Sequence, residues 1–122
     1  MQEALKLIEE ERQRQITVEG WTPEHDDSHN KGDLALAAAC YAANDNGTMF
    51  HGPRKIFDKK ESPGWDEISF KDLWPWDKKW DKRGNGSTNV DRAISSRIRE
   101  LTKAGALIVA EIERLQRKKD VS

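Results

Sequence analysis

The sequence predicts a mainly α-helical fold, a small domain of three to four helices with a long tryptophan-rich irregular connection. Apolar residues recur at helical spacing near both ends of the 122-residue chain. Between these ends, the apolar run LALAAACYAA is typical of a buried helix. About forty residues, from Asn44 to Gly86, have no long periodic element and are rich in Gly, Pro and Lys. The length suits one domain, residues 1–122.

The first helix is predicted over residues 2–18, where Leu5 and Ile8 mark an apolar side in a charged segment. Gly20 ends this helix. The following Trp21-Thr22-Pro23 turns the chain, because a residue before proline avoids the helical region of backbone conformation.

A second helix is predicted over residues 34–43, with Asp33 as its N-terminal cap. Because this helix is apolar nearly all round, we expect it in the middle of the domain. The one cysteine of the chain, Cys40, is expected to be a packed thiol rather than a nucleophile or a ligand. Further along, residues 66–73 are predicted to form a short helical turn that Pro75 ends.

The last helix is predicted from an N-terminal cap at Thr88, and its apolar stripe has the spacing of a heptad seam. This stripe either packs across the first two helices or meets its own copy in a homodimer or higher homo-oligomer. Its glycine, Gly105, is expected at a close backbone approach. The stripe consists of Ile94, Ile98, Leu101, Gly105, Ile108, Ile112 and Leu115.

Charge and composition exclude several classes of protein. With 21 Lys+Arg against 22 Asp+Glu, the net charge is -1, which excludes binding to a nucleic-acid polymer through bulk charge. No apolar run is long enough to cross a bilayer, so no membrane partner is expected. The N-terminal residues are charged and do not form a secretory signal. We therefore expect a cytoplasmic protein.

A cluster of acidic residues and histidines follows Pro23. Oxygen ligands suit Mg²⁺, and two imidazoles favour transition metals. The alternative is structural, with Asp26 and Asp27 capping the next helix and holding the turn. The cluster consists of Glu24, His25, Asp26, Asp27 and His29.

Acidic residues of the first helix suggest a second chemistry. All-α pyrophosphohydrolases of the MazG type hold Mg²⁺ through an EExxE motif on one helix and ExxD on the next. Here Glu9-Glu10 is followed by Gln13 where that motif has Glu, while Glu24 and Asp27 have the ExxD spacing. A metal site at Glu10, Glu24 and Asp27 is thus an alternative to a solvated helix face.

Tryptophan is the most distinctive residue type. The chain has five, and four of them lie between Trp65 and Trp80, interleaved with lysines. Indole faces stack on bases while cations meet phosphates, which suits a nucleotide better than a polymer. We expect Trp74 in the core and Trp21, Trp76 and Trp80 at a ligand.

Four segments resemble a family of small phage and prophage proteins, some of which follow a phage dATP/dGTP pyrophosphohydrolase domain. These segments are ERQRQITVEGWTPEHDDSH, LALAAACYA, WPWDKKW and KAGALIVAEIERL, and they span most of the chain. The family continues after its tryptophans into Lys-Pro, whereas this chain has Asp81-Lys82-Arg83, and residues 50–70 form an extra loop.

A more distant resemblance is to the ryanodine-receptor repeat. It rests on Gln15-Ile16, Gly20 to Pro23, His25 to Asp27, His29 and Lys103 to Leu107. The resemblance implies a mainly helical module, used in pairs, whose tryptophans sandwich an adenine nucleotide. It also implies that Trp21, Asp26 and Asp27 line the ligand cleft.

The leading expectation is a phage-encoded, non-enzymatic binder of a nucleotide-derived small molecule. The resemblance to phage proteins implies a cyclic nucleotide or a cyclic ADP-ribose-type immune signal, sequestered without a catalytic group or cofactor. The alternatives are a Mg²⁺-dependent nucleotide pyrophosphohydrolase and a protein-interaction module that inhibits a host factor through its tryptophans. The residues expected at the ligand are Arg12, Arg14, Trp21, Thr22, His25, Asp26, Asp27, Trp76, Trp80, Lys82 and Arg83.

Overall fold

The computed structural model describes residues 1–43, 48–51, 66–69, 73–83 and 90–121. The chain is mainly helical, as the sequence predicts, and forms a small four-helix domain. The helices are α1 (Gln2–Thr17), α2 (Pro23–Asp27), α3 (Asp33–Ala43) and α4 (Val90–Val121). Between α3 and α4 lie two short strands, β1 (Thr48–His51) and β2 (Asp66–Ser69), and a 3-10 turn (Lys78–Trp80).

The turn after α1 has the geometry that its sequence predicts. Gly20 has φ of 76°, a conformation that residues with a side chain rarely adopt. The chain then enters α2, where Pro23 occupies the first turn and Thr22 is the N-terminal cap. Residues 24–27 therefore form a helix, whereas the structural interpretation of this cluster placed Asp26 and Asp27 in a turn before the next helix.

The core lies between α3 and α4. Its buried apolar residues are Leu34, Ala37, Ala38 and Tyr41 of α3 with Ala104 and Leu107 of α4. The small alanine side chains allow the two helices to approach closely. Cys40 is fully buried, as expected of a packed thiol. The guanidinium of Arg97 donates to the backbone oxygens of Tyr41 and Ala42 and so caps the end of α3.

The apolar stripe of α4 does not form this core. Its large side chains, such as Ile98 and Ile112, are about half exposed, while α4 buries Ala104, Leu107 and Ala110 on its inner side. The expectation that the stripe packs across the first two helices is therefore wrong for its six large side chains, whereas Gly105 of the stripe does meet Ile8 of α1. The core contacts of α4 are mostly alanines, and the larger isoleucines lie outside them.

Helix α3 is also less enclosed than its composition predicts. Ala35 and Ala42 are exposed, so one side of this all-apolar helix is uncovered. The helix begins at Asp33 itself, rather than at the following residue. Gly105 does lie at a close approach, because a Cβ built there would be 2.7 Å from Cδ1 of Ile8.

The connection between α3 and α4 contains an antiparallel strand pair. Thr48 pairs with Ser69, and His51 pairs with Asp66. The predicted helical turn from residue 66 is therefore wrong, since residues 66–69 are extended. Trp65 and the predicted cap Thr88 lie outside the described residues. Within the described part of the chain, no helix has the length and apolar character needed to span a membrane.

Candidate functional site

A pocket of about 210 Å³ lies where α2 faces the segment around the 3-10 turn. Its walls are three indoles and two imidazoles that come from separate parts of the chain. Trp80 is 38% exposed, and the other two tryptophans are half-buried. The lining residues are Trp21, His25, His29, Trp76 and Trp80, which we call the aromatic pocket.

The rings of the aromatic pocket meet at steep angles. The plane of Trp21 makes angles of 66° with Trp76 and 61° with Trp80, with ring centroids 6.1 and 6.4 Å apart. The imidazole of His25 is parallel to Trp21, at an interplanar angle of 3° and a centroid separation of 5.8 Å. The pocket therefore has the form of a corner, in which a planar ligand can stack on one ring while others contact its edge.

Trp21 is held by the end of α1. Its backbone N–H donates to the carbonyl oxygen of Gln15 at 2.9 Å. Arg12 donates through Nη1 to the carbonyl oxygen of Trp21 at 3.4 Å, while its Nη2 donates to Oδ2 of Asp26 at 2.6 Å. These contacts fix the backbone at Trp21 against α1 and α2.

Trp76 is held by α3. Its indole Nε1 donates to Oδ2 of Asp33 at 3.0 Å, and Nδ1 of His29 also contacts this oxygen. Burial opposes the ionisation of Asp33, but the hydrogen bonds from Trp76 and His29 outweigh it and hold its pKa below the ordinary value. The charged carboxylate thus orients two walls of the pocket.

The two histidines contact each other at the pocket wall. Their Nε2 atoms are 3.3 Å apart, and their ring centroids are 4.7 Å apart. The Nδ1 of His25 lies 3.2 Å from Oδ1 of Asp26. Each imidazole therefore has a carboxylate on one side and its neighbour on the other, which restricts the orientation of both rings.

Trp80 belongs to the 3-10 turn, which Asp77 caps by accepting from the backbone N–H of Lys79. The ammonium of Lys79 lies 5.5 Å from the ring centroid of Trp80. Behind this turn, Trp74 packs edge-on against Tyr41 at 5.5 Å and lies against the core. Trp74 does not line the aromatic pocket, and like Trp21 and Trp76 it is half-buried against the core.

The structure assigns other roles to Arg12 and Asp26, which the sequence predicted at the ligand. Asp26 is fully buried and Arg12 is 6% exposed. Their charges satisfy each other, and Arg12 also pairs with Glu113 at 3.3 Å. Because a buried pair leaves no free charge for a ligand, these two residues position the pocket but do not reach it.

Three further residues predicted at the ligand have partners within the protein. Asp27 points to α4 and pairs with Arg117 at 2.8 Å. Arg83 has a buried side chain that pairs with Asp81 at 2.7 Å and lies over the ring of Trp74. The hydroxyl of Thr22 accepts from the backbone N–H of His25 as a helix cap. The local partners of these side chains were not evident from residue spacing.

A narrow cleft adjoins the aromatic pocket, and Trp21 and Trp80 form the wall between them. The cleft measures about 20 Å³, room for one water-sized polar group. It is lined by the cations Arg14, Lys82 and Lys103, by Gln15, Glu19, Tyr41 and Leu107, and by the two shared tryptophans. The predicted residues Arg14 and Lys82 thus lie next to the aromatic pocket.

The cations of this cleft differ in their partners. Arg14 pairs with Glu11 and Glu19, and Lys103 pairs with Glu11 at 3.2 Å. Burial opposes the ionisation of Glu11, but hydrogen bonds and charges from Arg14 and Lys103 outweigh it and keep its pKa low. Within the described part of the chain, Lys82 has no ion-pair partner for its ammonium.

Gln15 and Tyr41 provide polar atoms in the cleft. Gln15 is 2% exposed, and its Oε1 is buried with no hydrogen-bond partner among the described residues. The hydroxyl of Tyr41 accepts from the backbone N–H of Lys82 at 3.0 Å. Burial raises the pKa of Tyr41 to about 12, so its hydroxyl stays protonated at neutral pH.

The carboxylates of the predicted metal site do not converge. Glu10 is exposed on α1 and lies 4.0 Å from Lys6, Glu24 is exposed, and Asp27 pairs with Arg117. In the residues that the structure describes, no group of three or more His, Cys, Asp or Glu side chains is placed to hold a metal ion.

Sequence reasoning missed three residues of this region, namely Gln15, Asp33 as an indole acceptor, and Lys103. Lys103 is far from Arg14 in the chain, so only tertiary packing brings them together. Comparison with known proteins returned no matching family model, curated protein or solved structure.

Proposed function

We propose that this protein binds a nucleotide-derived small molecule without changing it chemically, with the base in the aromatic pocket. The observation that carries the proposal is the convergence of three indoles and two imidazoles, from two segments distant in sequence, on one pocket. Aromatic faces bind the flat rings of bases through stacking and edge contacts. The half-burial of Trp21 and Trp76 favours a small-molecule site over a flat surface for a host protein.

The size of the pocket supports a base as the group it takes. Sites for whole drug-sized ligands measure about 300–1,000 Å³, and this pocket measures about 210 Å³. A sugar and phosphate must therefore extend beyond it. The adjoining cleft shares Trp21 and Trp80 with the pocket, so a ligand held by these indoles lies next to its polar groups.

The chemistry of the cleft suits a ribose phosphate. The unpartnered Oε1 of Gln15 can accept from a hydroxyl, and the cleft has room for one such group. The ammonium of Lys82 can meet a phosphate at the mouth of the cleft. Arg14 and Lys103 contribute less, because Glu11 and Glu19 already neutralise them.

The resemblance to phage proteins suggests a biological role for this binding. A phage protein that holds a nucleotide signal of host immunity, such as a cyclic nucleotide or a cyclic ADP-ribose derivative, would act by sequestration. Tight binding is then sufficient for activity, and the pocket needs no catalytic group. This step rests on the resemblance alone.

Isothermal titration with a panel of cyclic nucleotides, ADP-ribose derivatives, ATP and adenosine tests the proposal. We expect at least one phosphorylated ligand to bind at one site per chain and to be recovered intact after the protein is heat-denatured. Tetramethylammonium serves as a control, because aromatic cages also bind cations. Binding of that cation alone, release of a hydrolysed product, or no binding by any nucleotide would contradict the proposal.

Two variants test whether the aromatic pocket binds the base while the cleft binds the phosphate. Trp76→Ala should abolish binding of every ligand, since it removes one wall of the pocket. Lys82→Gln should weaken a phosphorylated ligand about 3- to 30-fold and leave the affinity for adenosine unchanged. Lys118→Gln is the matched control, because Lys118 is exposed on α4 and does not line the aromatic pocket or the cleft.

A further inference from the structure

The outward side of α4 carries six large apolar side chains, each about half exposed. Their exposed fractions range from 46% at Leu101 to 54% at Ile94. They follow one another at intervals of three and four residues, apart from the glycine at position 105. The residues are Ile94, Ile98, Leu101, Ile108, Ile112 and Leu115.

The uncovered side of α3 continues this surface. A groove of about 340 Å³ runs between the two helices, and its lining is almost entirely apolar. We call the stripe and this groove together the α3/α4 apolar face. The groove is lined by Ala35, Ala38, Ala39 and Ala42 of α3 and by Ile108, Glu111 and Ile112 of α4.

Helix α1 fills the gap that Gly105 leaves in the stripe. The side chain of Ile8 lies within 3 Å of the position that a Cβ of Gly105 would take.

The stripe also extends past the shorter helices. At 32 residues α4 is about 48 Å long, whereas the 16 residues of α1 and the 11 of α3 span about 24 and 16 Å. Neither shorter helix is long enough to cover α4.

The exposed apolar area of the stripe lies at the upper end of the usual range for a monomer. Six half-exposed leucine and isoleucine side chains leave on the order of 500–600 Å² of apolar surface, and the largest patch of a typical monomer is about 300–600 Å². A standard interface buries about 800 Å² on each partner. The stripe and the exposed alanines of α3 together approach that value.

We propose that the α3/α4 apolar face is the interface of a homodimer, in which a second copy of this chain packs its own α4 against the same face. Heptad spacing favours this occupant, since a stripe with a period of 3.5 residues packs along an equivalent stripe. A twofold axis lets the same surface serve both chains. Such a dimer would also cover the exposed side of α3, as the apolar composition of this helix predicts.

The charges beside the stripe fit a symmetric interface. One flank consists of Ser95, Thr102, Val109 and Gln116, which have no charge. On the other flank, Arg97 and Glu111 are already paired within the chain, with Glu100 and Arg114 respectively. The same flank also carries the buried Ala104 and the exposed Lys118. A second copy therefore brings few unpaired like charges together, and charge is depleted at the centre of interfaces.

This inference does not depend on the proposed ligand, because the α3/α4 apolar face shares no residue with the aromatic pocket. Sedimentation equilibrium of the full chain between about 1 and 100 μM tests it. We expect the wild-type chain to have twice the mass of a single 14.0 kDa chain at the upper concentration. A wild-type chain that remains monomeric at every concentration would overturn the proposal. This holds even if a different protein is found to cover the face.

A double variant, Ile108→Glu with Ile112→Glu, places carboxylates at the centre of the face. Both positions are about half exposed, so the isolated fold can solvate the new charges. We expect a helical monomer with a dissociation constant raised at least 100-fold. Val18→Glu is the control, because Val18 is 71% exposed and directly follows α1, outside the face, and this variant should stay dimeric. If the double variant is helical and dimerises as tightly as the wild type, the proposal is overturned. Loss of the dimer in Val18→Glu would also overturn it. If the double variant loses helicity, the single variant Leu115→Gln gives the same test with a smaller change.

Discussion

The indole Nε1 of Trp76 donates to Oδ2 of Asp33 at 3.0 Å, which joins the tryptophan-rich segment to the first turn of α3. The same oxygen is a partner of His29 Nδ1. One carboxylate thus orients two of the five rings of the aromatic pocket. The geometry of the pocket depends on this contact, although Asp33 itself does not line it.

Replacing Asp33 should therefore disturb the pocket more than the fold. Asp33→Ala removes the acceptor of Trp76 and should cost about 1–3 kcal/mol in the free energy of unfolding. Asp33→Asn keeps a neutral acceptor and should cost less. We expect near-ultraviolet circular dichroism to change in Asp33→Ala while the far-ultraviolet helical signal is retained. An unchanged aromatic signal would show that Asp33 does not order the rings.

Stability should fall in acid partly because of the same group. Since the folded pKa of Asp33 lies below its ordinary value near 4, the carboxylate stabilises the fold above that pH. This contribution is lost as the pH falls through the folded pKa. Chemical denaturation at several pH values should show a shallower loss of stability below about pH 4 in Asp33→Asn than in the wild type. Glu11 and Asp81 have pKa shifts in the same direction, so the two proteins must be compared at each pH.

The adjacent residues Asp26 and Asp27 should respond very differently to substitution. Asp26→Ala removes the buried partner of Arg12, which is left with Glu113 at 3.3 Å, and should cost about 3–5 kcal/mol in unfolding free energy. Asp27→Ala breaks only the exposed pair with Arg117, at a cost of about 0–1 kcal/mol. Urea denaturation of both variants measures the difference. Equal effects would mean that the burial of Asp26 has no energetic importance.

Gly105 should tolerate substitution only when Ile8 is shortened. Gly105→Leu gains helix propensity but overlaps Ile8, and such overpacking costs about 1–3 kcal/mol. In Ile8→Ala the same change should be less destabilising. A double-mutant cycle on thermal unfolding measures this coupling. Additive effects would contradict the close contact between α1 and α4 at this residue.

Much of the fold could be predicted from the sequence because it depends on local signals. Gly20 and Pro23 determine the turn after α1, apolar spacing identified α1 and α4, and a continuous apolar run identified α3. The side of α4 that forms the core was predicted incorrectly, because its buried alanines give a weaker periodic signal than its isoleucines. The strand at residues 66–69 was missed, since strand pairing depends on a partner distant in sequence.

The site was predicted in part, for a similar reason. Aromatic side chains have few roles in a charged segment, so Trp21, Trp76 and Trp80 could be identified by type. Charged residues have many roles, and spacing did not reveal that Arg12 and Arg83 are paired and buried. The contributions of Gln15 and Lys103 arise from packing between α1 and α4, which no local pattern encodes.

The most direct test of nucleotide binding in the aromatic pocket is a two-dimensional NMR titration of the indole N–H signals, each assigned by a single Trp→Phe substitution. The ligand is a nucleotide selected by calorimetry. We predict that the signals of Trp21, Trp76 and Trp80 shift together with one dissociation constant, while the signal of Trp74 shifts much less. If no indole signal responds to any nucleotide of the panel, or if only Trp74 responds, then the aromatic pocket is not the binding site.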